Sequence, residues 1–354
     1  MKEVAVVLTL GLPEALASTI RDVSPRLRVV QLSWAQRRVY RGGRPVWYAY
    51  AEKRGPEEET EEEAKANLAN TLAEVKVLFT SPVIPADITE RAPKLRWVQL
   101  TSAGVDRLLD GRLAQSGITI TTASGIHSVP IGEYVMAVML AFAKGLPGAM
   151  RAQGERTWRP YLADELHGKT VGIIGLGAIG GYVAKLAKAN GMRVMAVRRS
   201  AERRSTGDET GFSDVDELLP PSDLPYLLSE ADYVVIAVPL TSESRGLIGE
   251  RELRTMKPTA RIINIARGAI IEEASLVRAL KDGWIAGAAL DVFEKEPLPP
   301  ESELWGMETV ILTPHISGGT PVYMERAVAL FCDNLRRYLE GEPLRNAVEV
   351  GRGY

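Results

Sequence analysis

The chain has 354 residues, more than a single hydrophobic core usually organises, which predicts two domains. It is 45% hydrophobic and 25% charged with a formal net charge of −2, so it folds as a globular protein and offers no electrostatic footprint to nucleic acid or an anionic membrane. Its one cysteine, Cys332, excludes an intrachain disulfide and a cysteine-based metal cluster, and suits the reducing cytoplasm; no metal site is expected.

The first third alternates strand-like and helix-like pieces. Val4 to Leu10, an apolar run with a poor charged flank, reads as a first strand rather than a secretion signal, because Leu12-Pro13 opens a helix directly after it. Leu27 to Leu32, Val75 to Phe79, Trp97 to Leu100 and Thr119 to Thr122 read as further strands, with helices such as Ile84 to Ala92 between them. That alternation predicts a small parallel sheet. Six glutamates fall between Glu57 and Glu63, and they read as the solvated opening of a helix ending near Glu74, where acids complement the dipole. Ser33 to Gly55, with Trp34, Trp47, Tyr48 and Tyr50, is an aromatic insertion of pocket-shaping or surface character.

Tyr134 to Leu146 is apolar nearly all round and predicts a buried helix, too short to span a bilayer. A second, larger α/β unit starts at Gly168. Its strands are expected at Thr170 to Ile174, Arg193 to Val197, Tyr233 to Val238, Arg261 to Ile265, Gly287 to Val292 and Val310 to Thr313. Ser205 to Pro225, with Pro220-Pro221, reads as an irregular surface excursion, and Pro321 to Leu339 as a last amphipathic helix.

The strongest local signal is Gly168-Lys169-Thr170-Val171-Gly172-Ile173-Ile174-Gly175-Leu176-Gly177-Ala178-Ile179-Gly180, an apolar strand followed by G-x-G-x-x-G and a helix start. Gly175 serves the tight turn, Gly177 the approach of a pyrophosphate and Gly180 the close packing of the helix, whose N-terminus, with Ala178 and Ile179, faces the phosphates. Ligands of open α/β sheets bind outside the carboxyl ends of the strands. That rule selects Arg267, Asp291, Glu296 and His315, each after a predicted strand, and of the three histidines only His315 is so placed. His167 reads as a surface residue, and His127, at the crossing between domains, as structural.

In order and spacing these pieces resemble the D-isomer-specific 2-hydroxyacid dehydrogenase family. The matching segments are the glycine strand-turn above, Val238-Pro239-Leu240-Thr241 with Gly246-Leu247-Ile248, and Asn264-Ile265-Ala266-Arg267-Gly268. Asp291-Val292-Phe293-Glu294-Lys295-Glu296-Pro297 and Thr313-Pro314-His315 complete the set, so that the resemblance covers nearly the whole chain. It implies an α/β architecture of two Rossmann-like domains with a cleft between them that closes to exclude water. A doubly wound nucleotide-binding domain, residues 126–318, is inserted into a smaller, flavodoxin-like substrate domain formed by residues 1–125 and 319–354.

It further implies roles. Arg267 holds the substrate carboxylate or carbonyl, His315 passes a proton to and from the carbonyl oxygen, and Glu296 supports His315. Ser102, Gly104 and Val105, in the turn Thr101 to Asp106, receive the substrate carboxylate. Val238, Pro239, Ile265, Ala266, Asp291 and Ser128 contact the cofactor, with Asp291 supporting the nicotinamide side. Family members are homodimers held through the nucleotide domain, which the apolar helix from Tyr134 fits.

One departure bears on the cofactor. Where NAD-using relatives carry an acid at the end of the second nucleotide-fold strand, this chain has Arg198, Arg199 and Ser200. Arginine accommodates a 2′-phosphate that an acid repels, which predicts NADP(H) in preference to NAD(H). The expected activity is NADPH-dependent reduction of a small 2-oxo acid, such as hydroxypyruvate or glyoxylate, to the D-2-hydroxy acid. Glu296 sets the chain apart from formate dehydrogenases, which carry Gln at that position. The alternatives are a short D-3-phosphoglycerate dehydrogenase and a cofactor-sensing, corepressor-like binding protein on the same scaffold.

Overall fold

Two open, all-parallel sheets organise the computed structural model, which describes residues 3–44, 59–105, 108 and 111–349. Trp47, Tyr48, Tyr50, Glu57, Glu58 and Asp106 lie outside the described residues. One compact unit comprises residues up to Ile126 and again from Thr320; the other is His127–Gly319.

In the first unit β1 (Val4–Leu8), β2 (Leu27–Gln31), β3 (Val77–Thr80), β4 (Trp97–Leu100) and β5 (Thr119–Thr121) assemble in the order β2-β1-β3-β4-β5. Successive side chains leave a strand on opposite faces. Val7, Leu78, Val98 and Leu100 therefore pack in one core, while Val6, Leu8, Phe79 and Trp97 pack in another with Phe331 of the helix Tyr323–Glu340. Phe331 stacks on Phe79 with ring centroids 4.5 Å apart. The acidic run does open a helix, Glu61–Glu74, and Thr60 and Glu63 form a reciprocal cap at its start. The segment from Ile84 is helical only over Ile88–Arg91.

The second unit holds β6 (Thr170–Ile174), β7 (Arg193–Val197), β8 (Glu217–Leu219), β9 (Tyr233–Ile236), β10 (Arg261–Asn264), β11 (Gly287–Leu290) and β12 (Val310–Leu312), in the order β12-β11-β10-β9-β6-β7-β8. Both of its faces are covered. Met195, Val197, Val234 and Ile236 face one core, and Val194, Ala196, Tyr233 and Val235 the other, as a doubly wound sheet requires.

Two sequence expectations are corrected. Ser205 to Pro225 is not wholly an excursion: Glu217–Leu219 pairs with β7 as the edge strand, and Val215, Leu218 and Leu219 are buried. Three residues carry too short an alternation to register, and Pro220 ends the strand at once. The apolar helix begins earlier and stops earlier than its hydropathy indicates. It runs Ser128–Ala143, and Gly145, in the left-handed region at φ 61°, separates it from the helix Leu146–Gly154. Among the described residues no single helix is long and apolar enough to cross a membrane.

Candidate active site

In the second sheet the chain leaves β6 toward β7 on one side and returns with β9 on the other, so the strand order reverses between β6 and β9. A crevice at such a switch point is where open α/β sheets bind ligands. The turn there is Gly175, at φ 102°, so close to the next loop that an added Cβ would lie 2.7 Å from the Ala237 carbonyl oxygen. Val238 and Pro239 continue that loop. At Gly180 an added Cβ would fall 2.1 Å from the Gly175 carbonyl oxygen, which fixes the helix Ala178–Ala189 against the turn. Gly177 caps this helix with no side chain over its N-terminal amides, and nothing lies within 4 Å of where its Cβ would stand. An open, positively polarised helix end beside a switch point fits a dinucleotide pyrophosphate.

Directly after β7 comes Arg198, half-buried, with its guanidinium 4.7 Å above the Phe212 ring. A guanidinium stacked on a ring carries its N–H donors in its own plane, directed away from the ring face. Arg199 and Ser200 follow, exposed; one Arg199 nitrogen is 3.9 Å from the Glu243 carboxylate. The chain following β7 therefore presents two cationic side chains.

The loops after β10, β11 and β12 meet. Asn264 shapes the first of them: its side-chain amide donates to the Arg267 carbonyl at 2.9 Å and its oxygen accepts from the Ala266 amide at 3.1 Å. Ile265 and Ala266 are buried within that bend, and Arg267 is half-buried. Gly268 lets the β10 loop lie on the β11 loop, since a Cβ there would come within 1.9 Å of the Phe293 carbonyl carbon. On the β11 loop, Glu296 accepts from the Phe293 amide at 3.1 Å through one oxygen and from His315 Nδ1 at 2.9 Å through the other. Half-burial opposes charge on Glu296, but the hydrogen bond and charge of His315, with the Phe293 amide and the Arg267 guanidinium, together hold its carboxyl below the usual carboxylate range. The Nδ1 nitrogen is thus committed to Glu296, and Nε2 is the ring nitrogen left for chemistry.

Asp291 is the residue expected to support the nicotinamide side. It is fully buried, and its oxygens accept from the Thr313 hydroxyl at 2.6 Å and the Ile316 and Ser317 amides at 2.8 and 2.9 Å. It organises the loop that carries His315. Ser128 opens its helix directly after His127, whose ring lies against the loop at Gly318, and His167 is exposed. In the other unit, Ser102 follows β4 and turns its hydroxyl inward to the Gly104 carbonyl at 3.0 Å, while Val105 is buried. Sequence reasoning missed Asn264, Phe212, Tyr134 and Thr313 as supporting residues. Asn264 sits in the same short motif as Arg267, and Thr313 in the same motif as His315, and both could have been found there; Phe212 and Tyr134 are joined to the site only by folding.

A glycine-turn cradle with arginines at the end of the next strand, beside a guanidinium and a carboxylate-supported imidazole, defines an NAD(P)-dependent oxidoreductase. Residues 136–317 match the model of the D-isomer specific 2-hydroxyacid dehydrogenase NAD-binding domain. Glyoxylate reductase of Korarchaeum cryptofilum is 37% identical over 277 residues, covering 77% of this chain and 81% of that protein. Glyoxylate reductase of Thermofilum pendens is 38% identical over 268 residues, 73% and 76% of the two chains. Among solved structures, a D-isomer specific 2-hydroxyacid dehydrogenase from Xanthobacter autotrophicus in complex with NADPH and MES superposes with a TM-score of 0.77 at 28% identity, over 99% of this chain and 100% of that one. The chain belongs to the D-isomer specific 2-hydroxyacid dehydrogenase family.

Proposed function

We propose that the protein uses NADPH to reduce a small 2-oxo acid, glyoxylate or hydroxypyruvate, to the D-2-hydroxy acid. The observation that carries this reading is the 2.9 Å bond between His315 Nδ1 and the charged Glu296, in a loop cluster that also holds Arg267. Glyoxylate reductases among the relatives, and the NADPH bound to the Xanthobacter enzyme, support substrate and cofactor. When bound, the nicotinamide supplies the hydride. His315 gives its Nε2 proton to the substrate carbonyl oxygen as charge develops there, and takes it back in the reverse direction. Glu296 keeps the imidazole oriented and compensates its positive charge. Arg267 neutralises the substrate carboxylate and polarises the carbonyl through charge-assisted donors.

The main chain at Gly104 and Val105, with Ser102 bracing that turn, is assigned to the carboxylate. Gly175, Gly177, Ala178, Ile179 and Gly180 are assigned to the pyrophosphate, Arg198, Arg199 and Ser200 to the 2′-phosphate, and Val238, Pro239, Ile265, Ala266, Asp291 and Ser128 to the rest of the dinucleotide. The protein is assigned to the cytoplasm, which its single, buried thiol suits, and to a homodimer. Purified protein mixed with NADPH and a panel of 2-oxo acids tests the activity. Absorbance at the NADPH band should fall with glyoxylate or hydroxypyruvate, and an unchanged absorbance across the panel would leave a cofactor-sensing binder as the reading.

A further inference from the structure

We propose that Tyr134, acting through Thr313 and Asp291, positions the His315 imidazole, so that the helix Ser128–Ala143 is the anchor of the proton donor. The inference rests on His315 being that donor.

His315 has φ 55°, in the left-handed region that a residue with a Cβ enters only at a cost. Such a backbone persists only when its surroundings hold it there. Here the two amides that follow it, Ile316 and Ser317, both donate to the Asp291 carboxylate. That carboxylate is fully buried, where an unpaired charge is expensive, so each of its partners matters. The remaining partner is the Thr313 hydroxyl.

A carboxylate has no proton to give, so the Thr313 hydroxyl donates to Asp291 and must accept from the Tyr134 hydroxyl, 2.7 Å away. The direction of the chain is therefore fixed: Tyr134 to Thr313 to Asp291. Burial pushes the Tyr134 phenol up to about 12, and it remains a donor throughout the neutral range. The residue that caps this helix, His127, also meets the loop: its ring would stand 3.0 Å from a Cβ at Gly318. Contacts on both sides of His315, at Thr313 and at Gly318, tie its loop to one rigid element. Rotation or withdrawal of that element displaces the imidazole relative to Glu296.

Four variants test the proposal by steady-state kinetics, with NADPH affinity measured by fluorescence titration on each. Thr313→Val keeps the shape, removes the relay, and should lower kcat about tenfold with the Kd for NADPH unchanged. Thr313→Ser, which restores the hydroxyl, should return kcat to within about twofold of the parent, a recovery that packing alone does not produce. Tyr134→Phe should lower kcat about threefold and add nothing in the Thr313→Val background, because both act through one chain of bonds. His315→Asn is the separate arm. If it abolishes turnover while Thr313→Val and Tyr134→Phe keep the parental kcat, the relay is wrong and the proton donor stands. If His315→Asn itself keeps the parental kcat, the proton-donor reading falls and the relay with it. Should Thr313→Val fail to fold, Tyr134→Phe decides alone, and parental kcat there overturns the proposal.

Discussion

Glu296 is the carboxylate on which the candidate chemistry leans. Its pKa in the folded chain lies below the usual 4.5, because the contributions of His315, Phe293 and Arg267 outweigh half-burial. A depressed carboxylate contributes stability that is fully present above its unfolded value and is lost as pH falls through the folded value. Glu296→Gln should therefore flatten the acid-side decline of Tm below about pH 4.5, and parallel Tm–pH curves for parent and variant would contradict the assignment. The same change replaces a charge-assisted bond to His315 by a neutral one, which should reduce kcat about tenfold. Arg198 poses the corresponding question for the cofactor. Its guanidinium is held over Phe212 and has donors to offer a phosphate. Arg198→Gln should raise KM for NADPH by about ten- to a hundredfold, the worth of one hydrogen bond to a charged group, and leave KM for NADH within about twofold. Equal changes for the two cofactors would remove Arg198 from 2′-phosphate recognition.

Between residues and molecule lie the loops at the carboxyl ends of the strands. What brings them together is close approach of backbone to backbone, most tightly where Gly268 lies on Phe293 and Glu294. Gly268→Ala cannot be absorbed by a side-chain rotation, since the atoms in the way are main chain. It should cost about 1–3 kcal/mol or more in chemical denaturation and reduce kcat by separating Arg267 from Glu296. Parental stability and turnover would mean that the two loops have more room than their contact implies. At this scale the sequence was informative where chemistry is written in short motifs. The G-x-G-x-x-G turn, Asn264 to Gly268, Asp291 to Pro297 and Thr313 to His315 each carry their geometry locally. It was silent where support comes from far along the chain: Tyr134 and Thr313 are 179 positions apart and meet only because their elements pack. The loop partners of Asp291 were hidden for the same reason. Its position after a strand does not reveal that its oxygens accept from the amides of a later loop.

For the whole molecule, hydropathy sufficed to recognise two parallel sheets, because strands buried on both faces are continuous apolar runs. It could not say which apolar residues stay uncovered. Trp158 is 93% exposed, Leu162 101% and Met150 71%, with Leu146 and Tyr161 about them also exposed. The segment carrying them is fastened to its own unit: the Tyr161 hydroxyl donates to the Lys144 carbonyl at 2.7 Å, and the Asp164 amide to the Ala143 carbonyl at 2.8 Å. Large apolar side chains presented on a fixed backbone are a liability unless something covers them. Association of two identical chains is the simplest cover, because one self-complementary patch serves both. The parent protein should thus run as a dimer in size-exclusion chromatography with light scattering. The double substitution Trp158→Ser and Leu162→Asp, which touches no proposed cofactor or substrate residue, should shift it to a monomer with its affinity for NADPH retained. A monomeric parent would leave these side chains without their assigned cover, and a variant that stays dimeric would place the interface on another surface.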